Sequence, residues 1–179
     1  MNAGADVRRA EEWGSRPTLT VWAYDSPMGA AAGHVRLREL QRRGAVAVED
    51  AITVTWVPGT HRPRIGHLRA PSPRGGWVLG ALVEVLLRPT FRDQVPTMAA
   101  ALEGTGVDER ILGELRAAIA PGWSVLLVLS SGADPDLAGA AIQRGLARGD
   151  VTMTYAVLAG DAVERLRSLR LDPHSSRGG

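Results

Sequence analysis

Two stretches of this chain repeat one order of elements, and that order constrains the fold more than any single motif does. Thr18 to Tyr24, TLTVWAY, is rich in β-branched and aromatic residues and follows a break at Pro17, which marks a strand. Asp25-Ser26-Pro27 gives a helix start signal, with Asp25 read as a helix cap. Ala30, Ala31, His34, Val35, Leu37, Leu40 and Gln41 then recur at helical spacing. Gly44 supplies the stop. Val46 to Val57 reads as a second strand, with Ile52, Val54 and Trp56 on one face and Thr53 and Thr55 on the other. The later stretch follows the same plan. Trp123 to Leu129 is a near-continuous apolar run, the pattern of a strand buried on both faces. Asp134-Pro135 opens a helix carrying Leu137, Ala138, Ala141, Ile142 and Leu146, and Gly149 ends it. Val151 to Leu158 reads as a strand, and Asp161 to Leu169 as a short helix with Val163, Leu166 and Leu169 on one face.

Two strand–helix–strand units in series predict an α+β fold of the ferredoxin-like split βαβ type, a four-stranded antiparallel sheet with helices on one face. The expected organisation is a flexible segment over 1–17, one domain over 18–170 with an insertion at 59–122, and a disordered polar tail over 171–179. The connection from Pro58 to Gly122, about sixty residues, is too long for a hairpin and implies structure or function of its own. Arg64 to Arg69 suits a short edge strand returning along the second strand. A doubly wound parallel sheet would need a helix between Ala45 and Gly76, and the sequence there offers none.

The connection contains the most apolar part of the chain. Gly75 to Val83 is an uninterrupted apolar run of about nine residues, well short of the ~20 that cross a bilayer. Glu84, Arg88, Arg92 and Asp93 would be costly in lipid. The run reads instead as a helix that must bury an apolar surface, with a second helical piece from Pro96 to Leu102. Trp77, Val78, Leu82, Val85 and Leu86 are the candidate contacts to another copy of the chain or to a membrane surface. Val107-Asp108-Glu109-Arg110 starts a further helix, with Asp108 as N-cap and Ile111, Leu112, Leu115, Ala118 and Ile119 as its apolar stripe.

Leu19-Thr20-Val21-Trp22 with Tyr24-Asp25, Leu40-Gln41 with Gly44, Asp50-Ala51, and Thr105-Gly106-Val107-Asp108 running through Leu115 to Pro121-Gly122-Trp123-Ser124-Val125-Leu126-Leu127-Val128-Leu129 together resemble the DUF1269 family. Its members are bacterial proteins labelled as membrane or general-stress-like. The resemblance covers roughly residues 18 to 158 and implies a ferredoxin-like domain with a Gly-rich apolar insertion between its halves. The matching positions are caps, turns and core strands, so no catalytic residue carries over. The short insertion run here departs from the family, and the membrane label does not follow.

Composition excludes some chemistry. The chain has no Cys, which rules out disulfides, thiolate catalysis and Cys-ligated zinc. All 21 basic residues are Arg, so the pI near 9.9 reflects guanidinium groups that do not deprotonate, and a net charge of +2 argues against a nucleic-acid surface. His61 and His67 flank a loop with Arg62, Arg64, Arg69 and Arg74. They make no zinc-ligand pair. Glu49 and Asp50 are adjacent in a strand and point to opposite faces, which does not suit an acid/base dyad. Ser130-Ser131-Gly132 lacks a nucleophile elbow and Gly104-Thr105-Gly106 lacks a phosphate loop. No catalytic residue, metal or cofactor is assigned. The favoured expectation is a cytoplasmic, non-catalytic homo-oligomer with a structural, stress-related or protein-interaction role. The alternatives are a small-molecule-binding protein or enzyme, with Trp22, Tyr24, Trp56, His61, His67 and Tyr155 lining a site on the open sheet face, and a peripheral membrane protein.

Overall fold

Strand β1 (Thr18–Tyr24) leads into helix α1 (Gly29–Arg42), which returns along the sheet to β2 (Val46–Thr55). A turn with Gly59 at φ 82° brings the chain back as the four-residue β3 (Arg64–His67). Helices α2 (Val78–Leu86), α3 (Phe91–Ala101) and α4 (Glu109–Ala118) follow, then β4 (Ser124–Ala133), β5 (Val151–Val157) and α5 (Ala162–Ser168). The computed structural model describes residues 16–68, 78–88, 91–134, 143, 147, 149 and 151–168, without the side chains of 91–95 and 167. Residues 1–15 of the segment expected to be flexible, the helix expected after Asp134-Pro135, Trp77, Leu169 and the 171–179 tail lie outside the described residues.

The sheet has five strands in the order β3-β2-β4-β1-β5, and every neighbouring pair is antiparallel. The mixed α+β class agrees with the sequence. The four-stranded sheet with helices on one face is corrected: β3 adds a fifth strand, and helices cover both faces. The reason lies in β4, which is buried without a break from Ser124 to Ser130. A one-sided sandwich would leave Val125, Leu127 and Leu129 in water, at about 1.5–3 kcal/mol for each large side chain.

Alternation divides the core between the two faces. Leu19 and Val21 of β1, Ile52 and Val54 of β2, and Val125, Leu127 and Leu129 of β4 share one cluster with α2, α4 and α5. Tyr24, Leu126, Val128, Val46, Val48 and Ala51 form a second cluster with Ala30 and Leu37 of α1. In β2 the even positions change sides part-way along. Val46 and Val48 face α1, but Ile52 and Val54 face α2. The register explains this: the pairing slips between Ala47 and Val48 and slips back between Val48 and Asp50. Ser131 of β4 and Glu49 of β2 are therefore one-residue bulges that cancel.

Helix α1 sits tightly on β1 because it presents glycine there. A Cβ on Gly33 would collide with the Tyr24 hydroxyl, and one on Gly29 with the Tyr24 Cβ. The expected apolar stripe is corrected. Ala30, Gly33 and Leu37 are buried, whereas Val35 is 68% exposed, since it lies off the line of contact with the sheet. The cap is corrected too. No local side chain caps α1. Instead the fully buried Ser124 hydroxyl, from β4, accepts the Ala30 N–H at 2.9 Å and donates to the Ser26 carbonyl at 2.6 Å. One hydroxyl satisfies an orphan donor and a loop acceptor that would otherwise be buried unpaired.

Helix α2 is apolar on every side but one. All its residues are buried except Glu84. It packs on β2, β4, α4 and α5. Its first turn is held by Asp50, whose carboxylate accepts the Leu79 N–H at 3.0 Å from the neighbouring strand. Helix α3 starts at Phe91, ahead of the expected Pro96, which it contains. Asp108 caps α4 as its sequence position implies, accepting the Ile111 N–H at 2.9 Å. The turn before it needs glycine: Gly106 has φ 92°, and a Cβ there would collide with the Val157 carbonyl oxygen.

Candidate functional site

A cleft of about 350 Å³ opens between α1, β2 and the end of β3. Helix α1 supplies His34, Leu37, Arg38 and Gln41, a single stripe at steps of three and four residues. Strand β2 supplies Val48 and Ala51, which straddle the bulge at Glu49. Leu68 closes the outer end, held by its N–H to the Ala51 carbonyl at 3.0 Å. The floor is apolar and the rim is polar. Burial, with the Arg38 charge adding to it, holds the His34 imidazole below its usual range. Among the described residues Arg38 makes no ion pair. The Glu39 carboxylate instead accepts from Arg43 at 2.7 Å and Arg42 at 2.6 Å, and these contacts lower its pKa.

The residues singled out from the sequence fall in separate places. Trp22, Tyr24 and Tyr155 share the α1 face of the sheet, with Tyr155 opposite Thr20 and Trp22 opposite Met153. Tyr24 is buried against α1. Trp56 lies on the other face at the end of β2, where its indole N–H donates to the Thr60 carbonyl at 3.0 Å. His61 is exposed in the β2–β3 turn. His67, opposite Ile52 in β3, is on the α2 side. Burial lowers its pKa, against the opposing charges of Asp50 and Glu84. No site collects all six. Val78, Leu82, Val85 and Leu86 are inside the chain's own core.

Nor does the corner of His67, Asp50 and Glu84 make a metal centre: among the described residues no group of three His, Asp or Glu could hold an ion. No helix among them is long and apolar enough to cross a membrane. Sequence reasoning found His34, Leu37 and Gln41 as one helix stripe but missed the cleft. Its other wall depends on a bulge and on where β3 ends, neither of which leaves a periodic signal.

The two edges of the sheet differ. β3 is four residues long and carries Arg64, Gly66 and His67. β5 runs for seven residues, VTMTYAV, with no charge, proline or glycine. Among the described residues no strand pairs with its outer side. Its inner support is specific: the Thr154 hydroxyl donates to Glu114 of α4 at 2.8 Å. That bond, with Arg110 adding to it, holds the Glu114 carboxyl below its usual range. No family model, curated protein or solved structure matches this chain.

Proposed function

We propose that this chain is a non-catalytic, self-associating α+β domain, a ferredoxin-like pair of βαβ units whose long connection closes the second sheet face, and that it dimerises through β5. The observation that carries the reading is the outer edge of Val151–Val157, which pairs with no strand among the described residues. Edge strands that stay monomeric are usually short, charged or broken by proline or a bulge, as β3 is short and charged. β5 has none of these features. Its sequence also suits a twofold antiparallel pairing. Centred on Thr154, such a pairing sets Met153 against Tyr155 of the second copy on the α1 face and Thr154 against its own counterpart on the other. Both are favourable cross-strand pairs. The resemblance to DUF1269 proteins is compatible with this reading and adds no ligand or reaction to it.

Light scattering on the purified chain tests the reading. A mass of twice 19.0 kDa is expected. Thr152→Lys, at an exposed position of β5, places a charge on the pairing edge and is expected to return the mass to that of one chain with the thermal midpoint of the fold retained. A wild-type chain that stays monomeric, or a T152K dimer, would overturn it.

A further inference from the structure

We infer that the cleft beneath α1 binds a small carboxylate with an apolar body, with Arg38 as its counter-ion. Four observations lead there. The space, about 350 Å³, is at the small end of ligand sites and equals roughly a dozen water volumes, enough for about ten non-hydrogen atoms. The floor of Leu37, Val48, Ala51 and Leu68 offers no hydrogen-bond partner from its side chains, so a fully hydrated anion gains little by entering. Among the described residues the rim has one fixed positive charge and no carboxylate. That charge is uncommitted within the described fold, because Glu39, the one acidic residue on α1, is engaged by Arg42 and Arg43. A guanidinium presents paired N–H groups that match a planar carboxylate, and Gln41 one turn on can add a donor.

The bulge makes the space. Glu49 is an extra residue between Val48 and Asp50, and the cleft floor spans it from Val48 to Ala51. Bulges recur beside binding sites because they re-aim side chains and bend a strand away from its cover. Ala51 then leaves the bottom of the cleft unfilled. The site lies on the α1 face and does not depend on dimerisation through β5.

The test is a titration followed by backbone amide shifts, with phenylacetate as the probe. 2-Phenylethanol is the uncharged comparison and inorganic phosphate the anion without an apolar body. Phenylacetate is expected to give saturable shifts at His34, Arg38, Ala51 and Leu68 with a Kd of about 1 mM or tighter. Arg38→Gln is expected to weaken it about tenfold, the loss of one charge-assisted contact. Because Arg38 is exposed, this variant should keep the wild-type thermal midpoint. 2-Phenylethanol should bind as weakly to the wild type as phenylacetate does to R38Q. Three outcomes would overturn the inference: no saturable shift at these positions, equal affinity in R38Q, or phosphate shifts as large as those of phenylacetate.

Discussion

The two faces of the sheet are closed by different means. On one side three helices that precede β4, together with α5, press large aliphatic side chains onto the strands. Leu79, Leu82, Leu86, Leu112 and Leu115 are all essentially inaccessible there. On the other side α1 approaches through glycine, holds Tyr24 in the groove between Gly29 and Gly33, and leaves a cleft along its second half. The first face is filled by volume and the second by close backbone approach. A face filled by volume has little room for anything else. One settled by backbone contact at one end can stand open at the other.

Paired truncations give the largest expected effect and bear directly on that contrast. Leu82→Ala removes a fully buried side chain from the closed face and is expected to cost about 3–4 kcal/mol in urea unfolding. Leu37→Ala, on the cleft wall, is expected to cost about 2 kcal/mol, because the space it leaves joins an existing opening. Equal costs would mean that the α1 face is packed as densely as its counterpart. Ser124→Ala is next, at about 2 kcal/mol, since it strands a buried N–H and a carbonyl together. Asp50→Ala should cost about 1 kcal/mol, because the Leu79 N–H it releases is only part-buried. If the two cap deletions cost the same, the helix starts on the two faces are equally sheltered.

The smallest effect is pH dependence. His34 and His67 both have pKa values below 6.5 in the fold, so the unfolded chain takes up protons first. Their contribution is fully present well above pH 6.5 and is lost as pH falls through that value toward the folded pKa values. Between about pH 7 and 5.5 the midpoint should fall by about 1 °C, a small shift because both rings are largely solvated. His34→Gln with His67→Gln should flatten that slope. An unchanged fall in the double variant would assign the dependence to other groups.

Local signals in the sequence were readable where the structure uses them locally. Asp108 precedes its helix and caps it, and the polar-to-apolar rhythm of TLTVWAY marks a strand. The unreadable parts are those where a residue serves a distant element. Asp25 has the right type to cap α1 but precedes its N-cap, Met28, by three residues, and Ser124 supplies the bond from 94 positions away. Asp50 reads as an ordinary strand carboxylate, but it starts a helix 29 residues on. Val35 and Leu37 fall on nearly opposite sides of a helical wheel, and spacing alone cannot say which line of that wheel meets the sheet. The apolar excess of α2 requires burial, and composition alone does not distinguish a neighbour from the chain's own strands. Of the candidate site, the α1 stripe was visible and the β2 wall was not.

The cancelling bulges at Glu49 and Ser131 have a consequence for how this chain tolerates insertion and deletion. Each acts as a phase marker. Removing either alone leaves the outer ends of β2 and β4 one step out of alignment. Removing both restores alignment, and because the deleted residues are the ones that break the alternation, Val46 and Val48 keep their side toward α1. The segment is therefore locked as a pair, and length changes here are expected to survive only when they come in twos.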